Sequence, residues 1–312
     1  MTKKRCVIFG GGGFIGSYLA EALTDNNYEV VVFARGSKKD YSNLSRLINK
    51  ITFIKGSIEN IELIKKTVKP KDIVFNLISS SLPISSMNKP IDEIKDHIFT
   101  NVLLAQTVFK IGIKKYVFAS SGGGVYGHKK KFPIGESASI LPSSPHAIAK
   151  ASIEFYLNYF SEMYSIPVLI YRISNAFGPR QSLQKGFGII PTIMSSIRTN
   201  SRPILFNKGK IIRDFIFIED LIQAMLISFD KKTKYQVYNL GSGRGTSINT
   251  IWNIIKKLSP VKITPVYKKK RPIDVDKVIL DINRFTTEFH WKPKYGITAG
   301  IKKTLSQTVL TI

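Results

Sequence analysis

Short apolar runs alternate with longer, helix-like segments through the first half of the chain. Val7-Ile8-Phe9, residues 30–33, Thr52-Phe53-Ile54, Ile73-Val74-Phe75 and Tyr116-Val117-Phe118 read as strands bounded by turns or charges. Between them Ile15, Leu19 and Leu23, then Ile61, Ile64 and Val68, then Leu103, Ala105 and Val108 mark helices. Strands that are apolar throughout are buried on both faces, and their alternation with helices predicts a parallel α/β sheet. A long helix is expected over 145–164 and a strand over 168–173. Beyond Asn175 the pattern loosens. Helices are expected near 191–198, 220–229 and 248–258, strands over 212–218 and from Tyr235, and loop-rich basic sequence thereafter. No internal repeat or low-complexity linker interrupts the chain.

The 312 residues suffice for one large domain or two small ones, and 43% hydrophobic with 22% charged residues excludes wholesale disorder. No window approaches the apolar length of a membrane-spanning helix. The basic start runs into only four apolar residues before the glycines, too few for a secretory signal core, and Cys6 is a lone cysteine. A cytoplasmic location is therefore expected. The charge changes the picture, because 47 Lys+Arg against 21 Asp+Glu leave +26. The basic clusters at 3–5, 129–131 and 268–271 lack interleaved aromatic residues, so no nucleic-acid partner is expected. Peripheral attraction to an anionic membrane stays open beside the simpler account of solvated lysine faces.

Residues 10–16 read Gly-Gly-Gly-Gly-Phe-Ile-Gly, directly after the first strand and opening the first helix. Backbone without Cβ turns sharply and lets a pyrophosphate approach a helix N-terminus. A glycine motif alone is weak evidence, but between strand and helix at the head of a βαβ series it is strong. An NAD enzyme usually carries an acidic residue at the end of the second strand, where this chain reads Ala34-Arg35-Gly36-Ser37-Lys38-Lys39. NAD and NADP are both compatible with that loop, since Arg35 suits a 2′-phosphate.

Further segments make a family resemblance. They are residues 72–77 with Pro83, residues 120–127 (Ser-Ser-Gly-Gly-Gly-Val-Tyr-Gly), 142–150, 172–178, Arg213-Asp214-Phe215, 239–243 and Arg271-Pro272-Ile273-Asp274. The chain resembles the extended short-chain dehydrogenase/reductases of the nucleotide-sugar epimerase/dehydratase type, most closely the UDP-hexose and UDP-N-acetylhexosamine 4-epimerase-like proteins. That resemblance implies a Rossmann-type doubly wound parallel sheet with a smaller α+β C-terminal substrate lobe. Residues 1–174 with about 213–240 would form the NAD(P)-binding domain, and 175–212 with 241–312 the nucleotide-sugar lobe. It implies cofactor contacts from Gly10, Gly13, Phe14, Ile15, Gly16, Arg35, Ser57, Ile58, Leu77, Ile78, Ser79, Lys150 and Ile173. Asn175, Arg213 and Arg271 would hold the diphosphate of a nucleoside-diphosphate sugar, UDP-linked by resemblance. A homodimer is expected and a metal is not.

The family's Tyr-x-x-x-Lys pair falls on Pro145-His146-Ala147-Ile148-Ala149-Lys150, so the lysine is kept and the tyrosine is histidine. Gly122 and Gly124 stand where a serine or threonine is usual, which leaves Ser121 as the nearest hydroxyl. The catalytic candidates are thus His146, Lys150 and Ser121. An i, i+4 spacing puts His146 and Lys150 on one helix face, and a neutral imidazole is a competent base. His146 either serves as that base or merely fills the space. The reactions left open are 4-epimerisation through a transient 4-keto sugar, 4-keto reduction or dehydration, and weakly catalytic binding. His97 reads as structural rather than catalytic, and by resemblance it falls where relatives often carry an asparagine behind the site.

Overall fold

The computed structural model describes residues 3–79, 86–183, 188–259, 263–271 and 274–308. Pro83, Pro272 and Ile273 lie outside them. The chain divides into two compact units: residues 1–121, 145–172 and 222–238, and residues 122–144, 173–221 and 239–312.

The first unit is built on a seven-stranded sheet. Its strands are β1 (Arg5–Phe9), β2 (Glu29–Ala34), β3 (Thr52–Lys55), β4 (Ile73–Asn76), β5 (Lys115–Ser121), β6 (Val168–Ile173) and β10 (Val237–Leu240). They lie in the order β10-β6-β5-β4-β1-β2-β3. β1 pairs in parallel with both β2 and β4, so the chain reverses its direction of build about β1, a doubly wound arrangement. Val7, Val31, Val74 and Phe118 are fully buried because helices cover the sheet: α1 (Phe14–Asp25), α2 (Ile61–Thr67), α3 (Thr100–Ile111) and α4 (Pro145–Tyr164). Leu104, Val108, Ile153 and Leu157 contribute the helical side of that core. A π-helical turn, Glu93–Phe99, runs straight into α3. Nothing in the local sequence announced it.

The second unit holds a three-stranded sheet, β11 (Gly245–Ser247), β9 (Ile212–Phe217) and β7 (Asn175–Phe177), and a two-stranded one, β12 (Val266–Lys268) with β8 (Ile204–Phe206). Its helices are α5 (Ile189–Arg198) and α7 (Ile248–Leu258); α6 (Ile218–Ser228) leaves it for the first unit. The sequence after Leu258, expected to be loop-rich, also forms α8 (Asn283–Phe289) and α9 (Ile297–Gln307). Both carry a fully buried apolar anchor, Phe285 in α8 and Ile301 in α9, which packing rather than local propensity holds in place.

Two buried polar residues knit this unit. The Asp214 carboxylate accepts from the backbone N–H of Ser242, Gly243 and Leu280 and from the Ser242 hydroxyl. The Asn239 amide donates to the carbonyls of Ile134 and Asp281 and accepts from the Tyr126 hydroxyl. A Cβ on Gly241 would stand 2.7 Å from the Asp214 carboxylate. The Asn239–Gly243 motif is thereby explained as architecture. Among the described residues no helix is long and apolar enough to cross a membrane.

Candidate active site

The glycine loop turns directly off β1. Gly10 has φ +81°, a conformation side chains rarely adopt, and its N–H bonds the Phe33 carbonyl at 3.1 Å. A Cβ on Gly16 would collide with the Gly10 carbonyl, so α1 can enter the turn only with glycine there. Gly13 is the N-cap of α1; it makes no side-chain cap, and no acidic residue sits in the first turn. The helix therefore presents uncapped N–H groups and its positive dipole end, as a pyrophosphate requires. Phe14 and Ile15, the first helical residues, are half-buried. Gly10 also lies 3.2 Å (measured from a would-be Cβ) from the Leu77 carbonyl, which brings the end of β4 beside the loop.

Of the other expected cofactor contacts, Ile78 takes a turn in which its N–H bonds Asn76 Oδ1 at 3.1 Å, and Ser79 is exposed. Ser57 caps the turn before α2, its hydroxyl accepting from the Glu59 N–H, while Ile58 packs on the core. Arg35 is exposed at the end of β2. Asp40, beyond the position read from sequence, spends its carboxylate on the N–H and hydroxyl of Ser37. The Tyr41 ring fills the space a Gly12 side chain would need. These features fit a dinucleotide cradle.

α4 carries the second part of the site. Its second residue, His146, is 7% exposed, and its N–H, an orphan donor at the helix start, bonds the Ser86 hydroxyl at 3.2 Å. Burial first, and the Lys150 charge second, push His146 down to about 3. Lys150, one turn on, is buried with its Nζ donating to the carbonyls of Ile78 (3.0 Å) and Ala119 (2.9 Å), 4.7 Å from the Phe118 ring centroid. Burial lowers it to about 7 against the opposing pull of Glu154 and Glu93.

Buried side chains not named as site residues from the sequence flank this pair or brace those that do. Glu154 is gripped by Arg172, with Nη2 to Oε2 at 2.6 Å, and accepts from the Ser120 hydroxyl. Ser120 is thus committed, and Ser121, half-buried at the end of β5, is the other hydroxyl there. His97 lies fully buried with its ring 5.3 Å from that of His146, and its Nδ1 sits 3.1 Å from Glu93 Oε2. Asn76 links this region to the sheet through Asn101 (2.7 Å) and Tyr116 (2.8 Å).

The second unit places Asn175, Arg213 and Arg271 as follows. The Asn175 amide donates to the Asp214 carbonyl at 2.8 Å, and Ile173 before it is buried. Arg271 forks onto Asp274 at 2.9 and 2.7 Å and stacks 4.2 Å over Phe206. Among the described residues Arg213 bonds only its neighbour's carbonyl, Ile212 O, at 2.9 Å; burial lowers its proton affinity and Arg271 adds to that, against the opposing pull of Asp274 and Asp276. Asp214, next in sequence, is not its partner.

A parallel sheet wound about β1, a glycine cradle at an uncapped helix and a buried His–Lys pair define a dinucleotide-binding α/β protein. The chain belongs to the NAD dependent epimerase/dehydratase family, whose model matches residues 6–241, and NAD is its cofactor. It is 32% identical to the solved UDP-glucose 4-epimerase of Thermotoga maritima, determined with UDP-glucose, at a TM-score of 0.90 over 97% of this chain and 98% of that one. The UDP-N-acetylglucosamine 4-epimerase of Methanobrevibacter ruminantium, in complex with UDP-N-acetylmuramic acid, is 29% identical at a TM-score of 0.89 over the whole of both chains. A dTDP-4-dehydro-6-deoxyglucose reductase of Escherichia coli is 28% identical over 96% of each.

Proposed function

We propose that the chain is a nucleotide-sugar 4-epimerase acting on a UDP-hexose or UDP-N-acetylhexosamine through a transient 4-keto sugar, with His146 in the place usually held by tyrosine. The observation that carries this reading is a neutral buried imidazole and a buried lysine, one turn apart on α4, in the unit that holds the glycine loop. Bound NAD would supply the acceptor for the C4 hydride and return it. His146 would take the C4 hydroxyl proton as the hydride leaves and give it back on the opposite face. Lys150 would hold the nicotinamide ribose and keep His146 unprotonated until the proton moves. Ser121 would orient the hydroxyl, and Ile173 would pack against the nicotinamide. Asn175, Arg213 and Arg271 would bind the diphosphate, Arg213 with donors that no carboxylate bonds among the described residues. The net redox change is zero, so no second substrate is required. The proposed setting is cytoplasmic and homodimeric; attraction to anionic membranes rests on net charge alone.

A second reading, reduction of a 4-keto nucleotide sugar, is favoured by the likeness to the Escherichia coli reductase. NMR detection of C4 inversion on a panel of UDP-sugars separates the two. Wild type should invert at least one sugar, His146→Tyr should keep or raise turnover, and Lys150→Ala should lower it roughly 100-fold or more. Lost turnover in His146→Ala marks the imidazole as the working base. If neither wild type nor His146→Tyr inverts any UDP-sugar, the epimerase reading fails; consumption of reduced cofactor with a 4-keto sugar then supports the reductase.

A further inference from the structure

We propose that Glu93 and His97 are positioning residues for His146: a buried carboxylate–imidazole pair that fixes the ring of the base and supplies the negative charge its protonated form needs. The proposal rests on the reading of His146 as the base.

The pair sits on the π-helical turn. Such turns are rare but frequent at functional sites, and this one carries Glu93 and His97 at an i, i+4 spacing with both side chains buried. The bond from Nδ1 to the carboxylate puts the His97 proton on Nδ1 and leaves Nε2 as the acceptor. The His97 carbonyl is held as well, by the Asn101 amide at 2.7 Å, and Asn101 is braced by Asn76. His97 is therefore fixed at ring and backbone, and its ring lies against His146, tilted by 33°. One polar atom each from Glu93, His97 and His146 fall within 4.8 Å of one another. Nε2 of His97 is buried with no partner among the described residues, a costly arrangement for packing alone.

Charge gives the arrangement its use. A base that is held near 3 resists protonation, because burial and Lys150 both oppose the imidazolium. The charged or titratable groups around it are Lys150 and Glu154 on α4, and Glu93 and His97 on the π turn. Glu154 is tied to Arg172 and accepts from Ser120, although its charge still reaches Lys150; Glu93 is the carboxylate joined to the His97 ring, placed to offset a proton on His146. The same three side chains could suggest a cation site. However, the Glu93 oxygen is occupied by His97, and the Lys150 charge acts on both rings.

The test needs no substrate at first. Long-range 1H–15N spectra of the full-length protein, with ring signals assigned by His97→Gln and His146→Gln, report tautomers directly. His97 should be in the Nδ1–H form, and Glu93→Gln should shift the His146 ring nitrogens. His97 in the Nε2–H form, unmoved His146 signals, or stoichiometric zinc retained by the purified protein and lost in Glu93→Gln would each overturn the proposal. None of these depends on turnover, so they stand apart from a failure of the epimerase reading. With a turned-over sugar in hand, Glu93→Gln should lower kcat roughly 10-fold or more at little change in KM, and Glu93→Asp should recover part of the loss. In a His146→Tyr background Glu93→Gln should cost little, whereas an equal loss in both backgrounds means a merely structural role and overturns the proposal.

Discussion

Arg213 and Arg271 share one neighbourhood of the second unit, yet Arg271 is locked to Asp274 while Arg213 donates to no side chain among the bonds resolved. Asp274 and Asp276 offset part of the Arg213 charge without bonding it, so its open donors beside a second arginine suit an anion that completes them. That anion is the substrate diphosphate in the proposed function.

Arg213→Ala should therefore weaken UDP binding by roughly 10- to 100-fold, the range of a lost hydrogen bond to a charged group. Its melting temperature should hold or rise, since a buried charge is removed. Arg271→Ala should weaken UDP and also lower the melting temperature, because Asp274, buried, loses its partner. Calorimetry with UDP and a thermal melt give both readings. Unchanged UDP affinity in Arg213→Ala would remove that residue from the site.

Acid should destabilise the protein through its paired histidines. Burial holds His146 near 3 and drives His97 down as well, against an ordinary 6.5. With folded values below the unfolded one, the unfolded chain binds more protons between about pH 3 and 6.5. Stability then rises with pH through that window and is lost as pH falls from 6.5. Each histidine contributes up to ~1.4 kcal/mol per pH unit. Buried Asp214, Asp220 and Glu136 are raised and act oppositely in acid, so the comparison must be internal. Urea melts at pH 5.0–6.5 should show a shallower pH slope for His146→Gln than for wild type, and equal slopes would contradict the burial argument.

The sheet was legible because its strands are apolar on both faces, and the glycine loop because its chemistry is local: every residue of the turn is adjacent in sequence. The His146–Lys150 spacing was legible for the same reason. What surrounds that pair was legible only in part. The resemblance put His97 behind the site, but its contact with His146 and its bond to Glu93 come on a π-helical turn, without a sequence signature, folded against the start of α4. The role of Asp214 was hidden too, since its partners are backbone N–H groups 28 to 66 residues away.

The second strand should admit both dinucleotides. The end of β2 offers Ala34 and Arg35 rather than an acidic side chain, Arg35 is exposed, and Asp40 is turned to Ser37. NAD should bind, with NADP within about tenfold of it, and Arg35→Ala should weaken NADP alone by roughly 10-fold. Titration calorimetry with each dinucleotide is the measurement. If NAD wins by a hundredfold, the Arg35 argument fails while the cradle stands; if neither binds at millimolar concentration, the glycine loop is not functional as a cofactor site.

The outer face of α4 should bury itself against a second copy of the chain. Its inner face supplies Ile153, Leu157 and Phe160 to the core, yet Phe155 (60% exposed), Tyr159 (56%) and Met163 (60%) form a stripe at four-residue spacing on the other side. Ile148 and Tyr156 widen it, and Phe99, at the end of the π turn, is exposed as well. Contiguous apolar surface of this kind on one helix marks an association face, and a face that lies along one helix can pair with itself about a two-fold axis. Sedimentation velocity should therefore find a dimer at micromolar concentration. Phe155→Glu with Tyr159→Glu should give a monomer whose far-ultraviolet circular dichroism is unchanged, because both side chains already face solvent in the isolated chain. A wild-type protein that stays monomeric at 100 µM would leave the stripe without a partner of its own kind and refute the dimer.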